Sequence, residues 1–301
     1  MSTAKLKKVK LKGNESFNLR EGWLRKGMRC VKESPDLFSS DDVMERLGVG
    51  SKMVKSIRYW LQATGLCEEK FVNNGRAKAQ FLTDFGRVIE ENDPYFDDVF
   101  TLFLLHFKVA SNENLCIVWY LFFNSFEADE FTKESAVEMC RAELSKKMDE
   151  GATFSDSLFD DDCASVLRMY TDRVSSNDPE ESLGCPFADL GLIQKSKAKN
   201  EYRKCPPSRE CLDKMAVLYV ILCNLEGKKR SVSIEELLTS PNNIGRIFNL
   251  NRVLVNEYLD QLRAAGYLEI NRTAGLDMVY VRDGIAPEDA IITYYREAEV
   301  R

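Results

Sequence analysis

The chain has 301 residues, 44% of them hydrophobic and 30% charged, with a formal net charge of −6. This length fits about two domains or one elongated multi-module body, and the composition excludes a disorder-dominated chain. No apolar run approaches the ~20 residues needed to cross a bilayer, which argues against a membrane role. The charge is unevenly spread: residues 1–87 hold 18 Lys+Arg against 10 Asp+Glu, and the rest holds 24 against 38. A polyanion would therefore be drawn to the N-terminal part, leaving the acidic remainder to face protein partners.

Lys5 to Lys12 alternates apolar and basic residues and suits an edge strand or a flexible arm along a nucleic-acid backbone. From Ser40 to Phe81 the pattern is that of a winged helix-turn-helix. Asp41 to Leu47 forms a short helix capped by Ser40 or Asp41, and Gly48 and Gly50 supply the tight turn. Ser51 is expected to cap a second helix. There Met53, Val54, Ile57, Trp60 and Leu61 fall on one side, which turns Lys52, Lys55, Tyr59 and Gln62 outward. Gly65 ends the helix, Leu66 to Val72 reads as a strand, and Asn73-Asn74-Gly75 is a hairpin turn that puts Arg76 and Lys78 on the return strand. A helix of this kind fits the major groove, so Lys52, Lys55 and Tyr59 are candidate DNA contacts, with Arg76 and Lys78 gripping backbone phosphate.

Leu82 to Glu91, with Thr83 as cap, closes this first module, and Asn92-Asp93-Pro94 breaks it, giving a basic domain over 1–93. A helical middle domain over 94–180 starts with two very apolar segments, Val99 to Val109 and Leu115 to Phe126, which read as a buried helical hairpin. His106 lies within it; a lone histidine among Phe and Leu is more often a core residue than a catalytic base. Phe131 to Lys147 is a helix capped by Thr132. The run Asp160, Asp161 and Asp162 could attract Mg²⁺, yet consecutive carboxylates cannot all face one ion, and acidic residues in a helix's first turn serve its dipole. Ser175 to Ser182 is a polar linker.

The third domain, 181–301, contains a second basic stretch at Lys195 to Lys204, which could form a hairpin touching nucleic acid but is better read as a solvated loop. Cys211 to Leu225 is a helix apolar on all sides. Short helices follow, then Asn251 to Ala265, a second recognition-like helix, and a hairpin from Tyr267 to Val281 about Thr273-Ala274-Gly275. This echo of the first module is poorer in net positive charge and suits protein docking. Ala286 to Ala298 is a tail helix that packs back. Nine scattered cysteines are expected as reduced thiols of a cytoplasmic protein, and Cys185, Cys205 and Cys211 lack the paired spacing of a zinc site. The fold class is thus mainly α with small β-wings, winged helix-turn-helix modules standing at both ends of a helical middle.

The stretch Glu15-x-Phe17-x-Leu19-Arg20-x-Gly22-Trp23-Leu24-x-Lys26-Gly27 resembles the opening signature of a bacterial family known as domain of unknown function four-thousand-and-seven. The likeness continues through Leu47-Gly48-Val49-Gly50, Met53-Val54-x-Ser56-Ile57-Arg58, Leu82-Thr83-x-x-Gly86, Leu104-Leu105-His106 and Pro186-x-x-x-Leu190-Gly191-Leu192-Ile193. Where the family opens with Gly-His-Glu this chain has Gly13-Asn14-Glu15, so no histidine can act there. The resemblance implies membership in a DNA phosphorothioation system that defends against phage, beside a cysteine desulfurase, an ATPase and a sulfurtransferase. It also implies a DNA-nicking role in the single-strand version of that system; no cofactor is fixed by the sequence, and Mg²⁺ or Mn²⁺ are the metals with which such nicking would be tested. Glu15 and Arg20 would then be the catalytic candidates, although the two could equally form an internal salt bridge. The residues alone reach only double-stranded DNA binding. The rival is a non-enzymatic adaptor or transcriptional regulator that docks partner proteins.

Overall fold

A computed structural model describes residues 5–20, 22–72, 74–172, 184–196, 200–225, 230–273 and 276–299. The N-terminal part runs Trp23–Glu33 (α1), Val43–Leu47 (α2), Ser51–Ala63 (α3), Cys67–Val72 (β1), Ala77–Leu82 (β2) and Asp84–Asn92 (α4). Val99–Ala110 (α5), Ile117–Asn124 (α6), Glu130–Thr132 (β3), Lys133–Lys147 (α7) and Asp156–Thr171 (α8) follow. The remainder is Ile193–Lys195 (β4), Glu201–Lys204 (β5), Lys214–Asn224 (α9), Ser231–Ser233 (β6), Ile234–Thr239 (α10), Ile244–Ile247 (α11), Arg252–Ala264 (α12), Leu268–Thr273 (β7), Leu276–Val281 (β8) and Pro287–Glu299 (α13). Among the described residues the strands make three small antiparallel sheets, ordered β1-β2, β3-β5-β4 and β6-β8-β7. The fold is mainly α with small β elements. The linker at Ser175 to Ser182 lies outside the described residues, and sheet β3-β5-β4 takes strands from both sides of the boundary expected at residue 180.

Local chemistry sets the helix starts. Thr83 accepts the Gly86 N–H at the head of α4, Thr132 and Ser135 form a capping box on α7, and Ser233 and Glu236 form another on α10. Two expected caps differ. Asp42 precedes α2 without a side-chain bond, and Ser51 is the first residue of α3, behind an extended Gly50. Gly86 is required by contact: a Cβ there would stand 2.1 Å from the Leu66 carbonyl oxygen, so α4 can cross the start of β1 only without a side chain.

The core is organised around α5 and α6, which bury almost every side chain because they are apolar on all faces. Several neighbours dock on them through aromatic contacts. Trp60 of α3 meets Trp119 of α6 edge-on at 5.7 Å, Phe103 meets Phe248 at 5.6 Å, and Phe100 stacks on Tyr294 of the tail helix at 3.8 Å. α9 is likewise buried from Met215 to Leu222. His106 sits fully buried in this core, its Nδ1 2.6 Å from the Tyr170 hydroxyl and its Nε2 2.8 Å from the Ile247 carbonyl. A carbonyl only accepts, so Nε2 carries the proton and Nδ1 accepts from Tyr170. Burial, opposed in part by the Ile247 carbonyl, pulls this ring down from 6.5 to about 4.

The basic stretch at Lys195 to Lys204, read as a solvated loop, is only partly so. Strands β4 and β5 pair as a hairpin, with 197–199 outside the described residues. Lys204, however, turns its ammonium inward, donating to the Phe122 and Phe126 carbonyls at 2.6 Å each among the rings of Phe122, Phe123 and Phe126. Burial lowers this lysine to about 7. It satisfies orphan carbonyls at the C-terminal end of α6, which is what a cation is suited to do there.

Candidate nucleic-acid interface

The candidate surface is made by α3 and the β1–β2 hairpin, and one carboxylate rivets them together. Glu69 of β1, with 15% of its side chain exposed, accepts from Arg58 of α3 and from Lys78 of β2, the latter at 2.7 Å. Burial pushes Glu69 upward, but the hydrogen bonds from Lys78 and Arg58 outweigh it and hold its carboxyl below the usual range. Gln80 adds a hydrogen bond from its amide to the Arg58 carbonyl. The hairpin is therefore fixed against α3. Its turn is shaped by Asn74 and Gly75 at φ 55° and 83°, while Asn73 lies outside the described residues.

Of the cations expected here, Lys52 and Arg76 are exposed and have no carboxylate partner among the described residues. Lys55 is also exposed, 3.9 Å from Glu15. Lys78 is exposed but tethered, bonded to Glu69 and lying 5.1 Å from the Phe71 ring. Phe71 itself is 69% exposed on β1, opposite Lys78 in the strand register. Sequence reasoning passed over it, although an aromatic residue alternating outward between Lys70 and the turn was the available signal.

Tyr59 requires a correction. It was expected on the outer face of α3, but only 5% of it is exposed. Its hydroxyl donates to the Leu115 carbonyl at 2.9 Å and touches Cys116 Sγ, and the N-terminal arm lies over its ring, Gly13 so close that a Cβ there would come within 2.5 Å. Burial first, and then Cys116, raises the phenol well above its ordinary range, so it stays a neutral donor. The helix is buried on a second side as well, where Ser56 donates to the Phe17 carbonyl of this arm and Tyr59 reaches the α5–α6 connection at Leu115.

The arm is accordingly docked. Leu6 bridges to Met148, the Lys12 N–H donates to Asp162 at 2.8 Å, and the Asn14 amide donates to Ser165 at 3.2 Å. Glu15 is half-buried and lies 3.9 Å from Lys55, while the Arg20 guanidinium lies over the rings of Phe17 and Trp23. The acidic run diverges: Asp160 pairs with Arg141, Asp161 with Lys12 at 2.7 Å, and Asp162 is buried under the arm. It also begins in the second turn of α8, since the helix starts at Asp156 behind the Ser155 cap, so the first-turn dipole role belongs to Asp156. Burial lifts Asp162 from 3.8 to about 6, against the Lys12 N–H that it accepts. These three carboxylates do not share a face on which a cation could sit, and the described residues contain no cluster of three or more His, Cys, Asp or Glu suited to a metal.

At the other end, the cations of α12 are paired. Arg252 pairs with Glu235, Arg263 with Asp260 at 3.1 Å, and Arg209 with Glu257 at 2.8 Å. Val253 and Tyr280 are exposed there, at 64% and 47%. No described helix is long and apolar enough to cross a membrane.

Comparison with known proteins adds the following. The family model described as "Protein of unknown function (DUF4007)" matches residues 11–295. A magnesium ion-bound SspB crystal structure is similar to this chain at 25% identity and a TM-score of 0.85, over 98% of this chain and 90% of that one. Another SspB crystal structure shares the fold, with 24% identity, a TM-score of 0.84 and the same coverage. No curated protein matches.

Proposed function

The chain belongs to the DUF4007 family, and from that premise and the cationic surface of α3 we propose that it is the DNA-binding component of a bacterial DNA phosphorothioation system. The observation that carries the proposal is the exposed, uncompensated charge of Lys52 and Arg76, flanking Lys55, on two elements that the Glu69 rivet holds in one rigid unit. We read this unit as a winged helix: α3 enters the major groove while Arg76 and Lys78 of the hairpin hold backbone phosphate. The likeness to SspB structures supports the assignment to phosphorothioation-based defence, with the system's ATPase and sulfurtransferase as partners.

Nicking is the finer part of the proposal. The similar SspB structure has bound magnesium, so the assay is conversion of supercoiled plasmid to open circle with Mg²⁺ or Mn²⁺. Because Asp160, Asp161 and Asp162 diverge, no cleavage step is assigned to them, and Glu15 and Arg20 are the residues to replace first. Nicking abolished by Glu15→Ala supports the enzyme. Salt-sensitive duplex binding with no nicking in either metal refutes it and leaves an adaptor or transcriptional regulator. That second reading is favoured by one observation: the C-terminal hairpin unit has paired cations and exposed Val253 and Tyr280, a surface suited to protein rather than phosphate.

A further inference from the structure

Helix α1 carries a second cationic feature beside the surface described above. Arg25, Lys26 and Arg29 share one face with Gly22 and line an open hollow of about 260 Å³. The neighbouring charges of the same helix are satisfied, Lys32 by Glu90 at 2.8 Å and Glu33 by Arg46 at 3.7 Å. The three lining the hollow have no carboxylate partner among the described residues. Like charges at this spacing on a helix repel one another, so the cluster is unfavourable until an anion enters it.

Two contacts shape the hollow for a particular anion. The Arg25 guanidinium sits 3.9 Å from the centre of the Tyr95 ring, itself 54% exposed. A guanidinium held against a ring face by a cation–π contact can still donate its N–H groups to acceptors such as phosphate oxygens. Lys26 reaches the turn between α2 and α3: its Nζ lies 3.0 Å from where a Cβ on Gly48 would stand, at a backbone with φ +60°. The hollow thus borders the N-terminal end of α3, where Lys52 and Lys55 begin.

We propose that the Arg25–Lys26–Arg29 hollow is a phosphodiester-binding subsite that holds the DNA backbone beside the stretch met by α3. This rests on the nucleic-acid reading above and extends it to a helix outside the helix-turn-helix pattern. The test uses the full chain and a fluorescent duplex titrated across a salt series. Arg25→Gln with Arg29→Gln removes two phosphate contacts, so the slope of log affinity against log salt falls by roughly 2 and affinity at low salt drops about tenfold or more. A charge-matched control, Arg282→Gln with Arg296→Gln, changes the slope by less than half as much. Equal losses in the two variants overturn the subsite, because only diffuse charge would then be acting. An unchanged slope in the Arg25 and Arg29 variant, with Lys52→Glu plus Lys55→Glu still weakening binding, overturns the subsite and leaves the nucleic-acid reading standing. A wild-type chain that shows no salt-dependent binding overturns both.

Discussion

Replacing His106 with phenylalanine should change stability by an amount that depends on pH, and the dependence follows from the geometry. At pH 7.5 the wild-type ring is neutral and joins Tyr170 of α8 to the Ile247 carbonyl. Phenylalanine fills similar space among Phe123, Phe187 and Phe248 but strands both partners. An unsatisfied buried polar group costs about 1–3 kcal/mol, so His106→Phe should lose roughly 2–4 kcal/mol at this pH. On acidification the wild type weakens through this group. Its folded pKa of about 4 lies below the ordinary 6.5, so between these values the unfolded chain binds the proton and the folded chain does not. The histidine's contribution is therefore complete above 6.5 and is lost as pH falls toward 4, by at most about 3 kcal/mol at ~1.4 kcal/mol per pH unit. Phenylalanine cannot titrate. Urea midpoints of the two proteins at pH 7.5, 6 and 5 should accordingly converge. A constant gap across that range would refute the claim that His106 is held neutral in the core.

Asp162→Asn should stabilise the protein at neutral pH. The folded pKa of about 6 lies above the ordinary 3.8, so ionised Asp162 disfavours the fold and its penalty is complete above 6; asparagine still accepts the Lys12 N–H, and the gain in urea stability is capped at about 3 kcal/mol. A loss of stability at pH 7.5 would sink this reading. Gly86→Ala should cost about 3 kcal/mol, because its Cβ meets the Leu66 carbonyl rather than a side chain able to move aside; a melting temperature within a degree or so of wild type would contradict it. Glu69→Gln should cost roughly 1 kcal/mol and loosen the hairpin, read as faster amide exchange in residues 67–82. Unchanged exchange there would show that the rivet is dispensable.

Much of this architecture was legible because it is local. Caps at Thr83 and Thr132, the glycine stops, and the all-apolar α5, α6 and α9 follow from nearest-neighbour chemistry and hydrophobic period. Failures came where a distant segment supplied the environment. Tyr59 looked outward because one core side was counted on α3, while its second cover comes from Gly13 and Leu115, remote in sequence. Lys204 looked like part of a solvated turn, yet the carbonyls it satisfies lie 78 and 82 residues away. The tether on Lys78 was equally hidden: it stays exposed on the hairpin, but antiparallel pairing puts it diagonal to Glu69. In the candidate site, charge type was legible and charge compensation was not, because an ion pair is a property of the folded surface.

Ultraviolet cross-linking of the full chain to a duplex, followed by mapping of the cross-linked peptides, tests the central claim most directly. The account predicts adducts in the β1–β2 hairpin, at or near exposed Phe71, and along α3 between Lys52 and Gln62. A stable complex whose adducts all fall within residues 184–299 would contradict it.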